Sequence, residues 1–129
     1  MEILGVVLRL SDVSASRSAL EQALGCSVDW ASPRHGSMQH AQIPMIDPED
    51  APTTWADIQS FIELHANKIL ALIDSRAIRS ARLDIGVPIY EENLMSTVSL
   101  PHELSEVVGR NRIGIDITLY ATASEDGSA

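Results

Sequence analysis

The sequence predicts an α+β fold, in which a mainly antiparallel sheet is covered on one face by one long helix and two short helices. Near the end of the chain, apolar and polar residues alternate over residues 82–90 and again over residues 113–121, a pattern typical of strands with one buried face. From Trp55 onwards, apolar residues instead recur at helical spacing. A two-layer arrangement, with the helices packed on one face of the sheet, buries both apolar surfaces.

The composition is that of an ordinary globular domain: 45% of the 129 residues are hydrophobic and 21% are charged. We therefore expect a single domain over residues 1–123, followed by a disordered polar tail at residues 124–129. The lone cysteine, Cys26, excludes a disulfide bond within the chain and fits a reducing compartment. The first apolar run is too short to span a membrane and lacks the basic start of a signal peptide, so we expect a cytoplasmic protein.

The first two predicted elements are a strand over residues 3–10 and a helix over residues 15–24. Residues 11–14, between them, offer several possible N-caps, and Gly25 stands where a left-handed residue commonly ends a helix. The even-numbered residues of the strand are expected to face the core, which leaves Arg9 on the opposite face.

The stretch over residues 26–52 is open to two interpretations. Four prolines and Gly36 interrupt it, which favours loops. Within it, residues 26–30 and 38–46 have the composition of short strands. Its last part, residues 47–52, is predicted to be an acidic loop because two prolines break it.

The longest predicted element is a helix over residues 55–77. Thr54 and Asp57 have the three-residue spacing of a capping box, with Asp in place of the usual Glu or Gln. The buried stripe of this helix consists of Trp55, Ile58, Ile62, His65, Ile69, Leu72 and Ile73, widened by Phe61 and Leu64. Because His65 lies on this apolar stripe, we expect it to be a histidine at the edge of the core with a satisfied hydrogen bond.

The strand over residues 82–90 is predicted to form a hairpin. Residues 91–93 resemble a turn, and residues 94–100 would return as the partner strand. A proline cannot donate a hydrogen bond to a neighbouring strand, so Pro88 is expected to place its strand at a sheet edge or at a bulge.

A short helix precedes the last strand. Pro101 suits the first position of a helix, which is predicted to run over residues 102–108 and to be closed by Gly109. The last strand is predicted from Ile113 to Thr122. Its odd-numbered residues are expected to pack against the long helix; they are Ile113, Ile115, Ile117, Leu119 and Ala121.

The sequence contains no motif for a metal, cofactor or catalytic site. His35 and His40 lie near Cys26, but a catalytic zinc ion needs at least three converging ligands, and no HExxH or CxxC motif occurs. Cys26 follows a helix-ending glycine rather than starting a helix, so nothing evident activates its thiol. GxSxG, GxGxxG and Walker motifs are absent as well. We therefore expect no bound metal, no cofactor and no catalytic residue, in a protein that is not an enzyme.

The polar residues of the two alternating strands form the main candidate binding surface. Asp84 and Asp116 share one face if their strands are neighbours, and Tyr90 and Tyr120 supply amphipathic anchors for a partner. Paired carboxylates also perform acid–base chemistry when a pocket raises their pKa values. An enzyme that uses the two aspartates with a loop histidine is therefore one alternative, and an ordinary solvated sheet face is another.

The charge balance restricts the kind of partner. With 18 acidic against 9 basic residues, the net charge is −9, which argues against nucleic acid and anionic membranes because both need clustered Lys and Arg. An acidic surface either improves solubility or steers a basic protein partner. The residues expected to bind such a partner are Asp47, Glu49 and Asp50 in the acidic loop, Glu91 and Glu92 in the turn, and Asp84, Tyr90, Asp116 and Tyr120 on the polar face.

Two short motifs near the end of the chain carry a resemblance. Residues 99–104 read Ser-Leu-Pro-His-Glu-Leu, and residues 114–120 contain Ile-Asp-Ile within the last strand. Together with the long helix, these motifs resemble a family of small bacterial domains of unknown function. The resemblance implies an α+β fold and no established activity, and some comparable domains are encoded beside bacterial toxins and look like immunity proteins.

These observations lead to two functional hypotheses. The more concrete one is a small acidic protein-binding domain of the immunity type, which inhibits a basic bacterial toxin. The alternative is a homodimeric ligand-binding or regulatory module, which associates through an edge or a face of its sheet. In both cases we expect no nucleic-acid or membrane partner.

Overall fold

The computed structural model describes residues 2–31, 39–45, 51–92, 95 and 97–123. Its strands are β1 (Gly5–Val13), β2 (Asp29–Ala31), β3 (Gln39–Pro44), β4 (Ser80–Tyr90) and β5 (Ile113–Thr122). Its helices are α1 (Arg17–Leu24), α2 (Trp55–Asp74) and α3 (His102–Arg110). None of these helices combines the length and the apolar content that crossing a membrane requires.

The five strands form one sheet in the order β2-β3-β1-β4-β5. Three of the four neighbouring pairs are antiparallel, and only β4 and β5 run parallel. The helices pack on one face, where they and the sheet enclose a single cluster of buried apolar side chains. The predicted α+β fold with a mainly antiparallel sheet is therefore confirmed.

The predicted hairpin after Tyr90 is wrong. Of its returning segment, residues 95 and 97–100 lie outside any strand, and residues 94 and 96 are not among the described residues. The neighbour of β4 is instead β5, which runs parallel to β4. Helix α3 lies in the connection between these two strands. Parallel neighbours need such a crossover, and the alternation of residues along a strand does not indicate which segment becomes its neighbour.

The strand β4 lies inside the sheet, so the predicted edge or bulge position of Pro88 is also wrong. Gly86 accepts a hydrogen bond of 2.8 Å from the backbone N–H of Leu4, which shows that the backbone of Gly86 faces β1. Pro88, two residues later, faces the same side, but the register with β1 ends at the pair of Gly5 and Gly86. The proline therefore lies beyond the end of β1, where none of the described strands needs its missing N–H.

The core between sheet and helices is aliphatic, and the predicted stripe of α2 faces it. The exception is Leu64, whose predicted place on the buried stripe is wrong because it is 66% exposed. Ile58 and Ile62 have no exposed surface, and neither has Leu83 on the sheet. The prediction fails at the end of β5, where Leu119 and Ala121 are exposed. The nine residues of α3 span roughly 14 Å, whereas the ten residues of β5 span roughly 33 Å, so the helix covers only the beginning of this outer strand.

The predicted start of α2 and the predicted end of α1 are confirmed. The N–H of Asp57 donates to Oγ1 of Thr54 at 3.2 Å, and the N–H of Thr54 donates to Oδ2 of Asp57 at 2.8 Å, which completes the capping box. Gly25 follows α1 with a φ of 72°, the left-handed conformation. Helix α2 ends at Asp74, three residues earlier than predicted, and Arg76 adopts a left-handed φ of 64° in the turn that follows.

The strand β1 extends further than predicted, to Val13, and α1 consequently begins later. A bulge interrupts the register with β3 before Val13, and Asp12 there has a φ of 52°, a conformation that Asp adopts more readily than most residues. The N-cap of α1 is Ser16, whose hydroxyl accepts from the N–H of Ala19 at 3.1 Å. The N-cap expected within residues 11–14 is therefore wrong, because residues 11–13 continue the strand and the helix begins only after Ser16.

The stretch between α1 and α2 contains two short strands, β2 and β3, which supports the strand interpretation for part of it. Residues 32–38 and 46–50 are not among the described residues, and the predicted tail at 124–129 lies outside them too. Gly109 lies within α3, which ends at Arg110 instead of closing at the glycine.

Candidate functional site

The face of the sheet that points away from the helices, here called the open face, carries the predicted binding residues of β4 and β5, which are Asp84, Tyr90, Asp116 and Tyr120. Strand alternation places the even-numbered residues of β4 and β5 on this face, together with the odd-numbered residues of β1. Its members include Arg9, Arg82, Asp84, Gly86, Gly114, Asp116, Thr118 and Tyr120. The register pairs Asp84 directly with Asp116, so the prediction that these two carboxylates share one face is confirmed.

Asp84 is the centre of a network that joins three strands. Its side chain is only 9% exposed. The Oδ2 atom accepts a hydrogen bond from Nη2 of Arg9 at 2.7 Å, and Oδ1 accepts one from the hydroxyl of Thr118 at 2.7 Å. A buried carboxylate must be both paired and hydrogen-bonded to be tolerated. Arg9 on β1 and Thr118 on β5 meet these needs from the two strands that flank β4.

A second ion pair joins β4 to β5 and depends on a glycine. Nε of Arg82 donates to Oδ2 of Asp116 at 2.7 Å, and Nη2 donates to Oδ1 at 2.8 Å, which forms a bidentate pair. The register places Arg82 opposite Gly114, and a Cβ atom at position 114 would lie 2.5 Å from Nη1 of Arg82. The guanidinium group therefore crosses over a residue without a side chain to reach the aspartate.

Tyr120 rests in a similar way on Gly86. A Cβ atom at position 86 would lie 2.8 Å from Cε2 of the tyrosine ring, so the glycine provides the flat surface on which the ring lies. One half of Tyr120 remains exposed. Beside it lies a shallow recess of about 250 Å³, whose lining includes Leu4, Arg9 and Gln42. An exposed aromatic ring next to a recess is the arrangement expected of an anchor for a protein partner.

The geometry does not support acid–base catalysis by the two aspartates. Hydrogen bonds from Arg82 lower the pKa of the Asp116 carboxyl group, whereas a catalytic carboxyl pair needs one member whose pKa is raised. Both oxygens of Asp84 are occupied by Arg9 and Thr118. Of the two loop histidines, His40 lies on β3, which does not adjoin β4, and His35 is not among the described residues.

The other predicted binding residues in the described part of the chain, Tyr90, Glu91 and Glu92, lie at one end of the open face. Tyr90 is at the end of β4, where its hydroxyl donates to Oε1 of Glu2 at 2.6 Å, and the exposed residues Glu91 and Glu92 follow it. Glu2, Glu91 and Glu92 are here called the acidic rim, because they lie at the end of the sheet to which Tyr120 also belongs. Asp47, Glu49 and Asp50 are outside the described residues.

Sequence reasoning missed four residues of this surface: Arg9, Glu2, Gly86 and Gly114. Arg9 lies on the face of β1 that is opposite to the buried residues, and the alternation in the sequence predicted this position. Its role follows only once β1 is known to adjoin β4. The two glycines carry no signal in the alternation, since their function is to leave room for the side chains of neighbouring strands.

A larger groove, of about 620 Å³, lies on the other side of the molecule between α2 and β3. Its lining is mostly apolar and includes Cys26, Ile43, Met45, Phe61, Leu64 and His65. Residues 46–50, which follow Met45 along the chain, are not among the described residues.

His65 is the unusual member of the groove. It is 5% exposed, and its Nδ1 atom has no hydrogen-bond partner among the described residues, which contradicts the expectation of a satisfied histidine. Burial, reinforced by the charge of Lys68, lowers the pKa of the imidazole, so it is neutral at pH 7. Burial likewise raises the pKa of the Cys26 thiol, which opposes a role for Cys26 as a nucleophile.

Within the described part of the chain, no three residues among His, Cys, Asp and Glu are grouped so that they could hold a metal ion. Comparison of the whole chain with protein-family models, curated proteins and solved structures gives no match. The function is therefore inferred from the surfaces described above.

Proposed function

We propose that this chain is a small cytoplasmic protein-binding domain whose partner docks on the open face of the sheet. Most concretely, it is an immunity-type inhibitor of a basic bacterial toxin, in line with the resemblance of its last two motifs. The proposal rests on the exposure of the open face. All three helices pack against the opposite face, and none of the described helices or strands covers the open one.

The open face is ordered before any partner arrives. The two arginine–aspartate pairs and the Thr118 hydrogen bond hold their side chains in fixed positions across three strands. A preorganised surface loses less conformational entropy when it binds, so more of its contact energy appears as affinity. Tyr120, on its glycine support, is the aromatic anchor of this surface.

Charge is divided between the centre and the end of this surface. At the centre, two arginines are paired with two aspartates, which leaves no net charge. The acidic rim at the end of the sheet carries three carboxylates, one of which accepts a hydrogen bond from Tyr90. A neutral centre favours close packing, whereas an acidic rim attracts a basic partner and speeds its encounter.

The direct test is calorimetric titration of the purified chain with the purified toxin-like product of a neighbouring gene. We expect binding that weakens as the salt concentration rises, because salt screens the attraction between rim and partner. Tyr120→Ala should weaken the complex by at least about tenfold, as expected for an aromatic anchor residue. The double change Glu91→Gln with Glu92→Gln should mainly slow association.

The matched control is Glu103→Gln with Glu106→Gln on α3, which removes the same charge from the opposite layer. These variants should bind like the unaltered chain. Absence of binding to any basic protein encoded nearby would contradict the proposal, and so would equal weakening by the rim variant and by the α3 control.

A ligand-binding module is the second candidate. It is favoured by His65 in the apolar groove, whose Nδ1 atom has no hydrogen-bond partner in the described part of the chain. A neutral imidazole within an apolar lining suits an apolar ligand that carries one polar group. The dye 1-anilinonaphthalene-8-sulfonate is a suitable probe, and its fluorescence should rise saturably on binding. Ser60→Trp, which fills the groove, should abolish this binding, whereas Tyr120→Ala should not. Equal binding to both variants would exclude this groove as the site.

A further inference from the structure

The two outer strands of the sheet differ in how their edges are protected. Strand β2 has three residues and carries the charge of Asp29. Strand β5 has ten residues, contains no proline or lysine, and carries a single charge, that of Asp116. Natural sheets protect their edges by short strands, prolines, bulges or inward-pointing charges. By these criteria β2 is protected and β5 is not.

The single charge on β5 offers little protection, because the Arg82 guanidinium neutralises it from within the sheet. The strand also ends with exposed apolar surface, since Leu119 is 53% exposed and Tyr120 is 50% exposed. Among the described residues, no strand pairs with the outer side of β5. Its outward N–H and C=O groups therefore form a template onto which another strand can add.

We propose that β5 pairs antiparallel with β5 of a second copy of this chain, so that two five-stranded sheets join into one. This inference concerns the sheet edge and is independent of the partner proposed for the open face. A second copy fits because the sequence of β5 is complementary to itself about Ile117. An isologous two-fold contact requires self-complementarity of this kind.

The pairs in this register are favourable on both faces. With Ile117 opposite Ile117, Ile115 faces Leu119 and Ile113 faces Ala121, so that the exposed Leu119 gains an apolar neighbour. On the open face, Tyr120 lies opposite Gly114, and Asp116 lies opposite Thr118. A register shifted so that Asp116 faces Asp116 would place two carboxylates opposite each other, which is destabilising.

The salt dependence of this contact is opposite to that of a complex with a basic partner. Two chains of net charge −9 repel each other, and added salt screens that repulsion. Dimerisation should therefore strengthen as salt rises, whereas binding of a basic partner should weaken. This difference separates the two proposals, since a chain that binds a basic protein and stays monomeric would overturn only the dimer.

The test is sedimentation of the full chain across a wide range of concentrations. We expect a monomer–dimer equilibrium. Leu119→Lys places a charge on the edge and should raise the dimer dissociation constant by about tenfold or more, since lysine is a common natural protector of edges. Leu64→Lys is the matched control. It is the same change at a residue of α2 that is 66% exposed, and it should leave dimerisation unaltered.

A cysteine at the two-fold axis tests the register. In a Cys26→Ala background, Ile117→Cys should form a covalent dimer on oxidation, because its two copies face each other. Ile115→Cys should not, because its counterpart is Leu119. A monomer at every concentration would overturn the proposal, as would equal dimerisation of the Leu119→Lys and Leu64→Lys variants. Crosslinking at position 115 without crosslinking at 117 would overturn the register.

Discussion

The two faces of the sheet are built by opposite means from the same strands. Leu83 and Asp84 are consecutive residues of β4. Leu83 is completely buried against the helices, whereas Asp84 is buried on the open face by an arginine and a threonine. The helix side derives its stability from removing aliphatic surface from water. The open face gains order from paired charges, which contribute less net free energy because they must first lose their water. One face therefore holds the fold together, and the other presents positioned groups.

The largest expected effect is on the helix side. Leu83→Ala removes a fully buried side chain and leaves a cavity, so the free energy of unfolding should fall by about 2–5 kcal/mol. Urea denaturation measures this change. Leu64→Ala, at an exposed position of α2, is the control and should alter stability much less. Similar losses for both variants would mean that the position of Leu83 in the core is wrong.

The second effect tests the open face at the adjacent position. Asp84→Ala removes a carboxylate that accepts two hydrogen bonds, one of them from a charged group, and should lower the unfolding free energy by about 1–3 kcal/mol. Thr118→Val removes only one of these bonds and should cost about 1 kcal/mol. Both are measured by urea denaturation. A loss for Asp84→Ala as large as that for Leu83→Ala would remove the distinction between the two faces.

The third effect concerns His65, a polar group on the apolar side. Burial and the charge of Lys68 lower the pKa of His65 in the folded chain. In the unfolded chain the imidazole has its ordinary pKa of about 6.5, so below that pH the unfolded chain binds more protons than the folded chain. Stability should therefore fall as pH drops below that value. His65→Leu should flatten this dependence, which thermal unfolding at a series of pH values measures. Leu64→Ala, at an exposed position of the same helix, should leave it unchanged.

The smallest expected effect on stability is at Arg82. Its ion pair with Asp116 is exposed to solvent, and pairs of this kind contribute little. Arg82→Gln should leave the unfolding temperature nearly unchanged while raising the pKa of the Asp116 carboxyl toward its ordinary value, because the hydrogen bonds that lower it are lost. Carbon-detected NMR titration follows that carboxyl group directly. An unchanged pKa would show that Arg82 does not hold Asp116 in solution.

Much of the local structure could be predicted from the sequence. The alternation in β4 and the helical spacing in α2 identified most of the residues that face the core, with the exposed Leu64 as an exception. Thr54, Asp57 and Gly25 identified helix ends because their signals act within one turn of the chain. The alternation also identified Asp84 and Asp116 as residues of one face, since side chains on neighbouring strands keep the same period.

Only the tertiary structure decided which strands are neighbours. A period of two is a property of each strand alone and contains no information about its partner. The predicted hairpin therefore gave way to a parallel pair joined through α3, and Pro88 lies in an inner strand beyond the end of β1. For the same reason, no pattern in the sequence could show that Arg9 meets Asp84, or that Gly114 leaves room for Arg82. The sequence determined which face each residue occupies, and the order of the strands determined which of these residues meet.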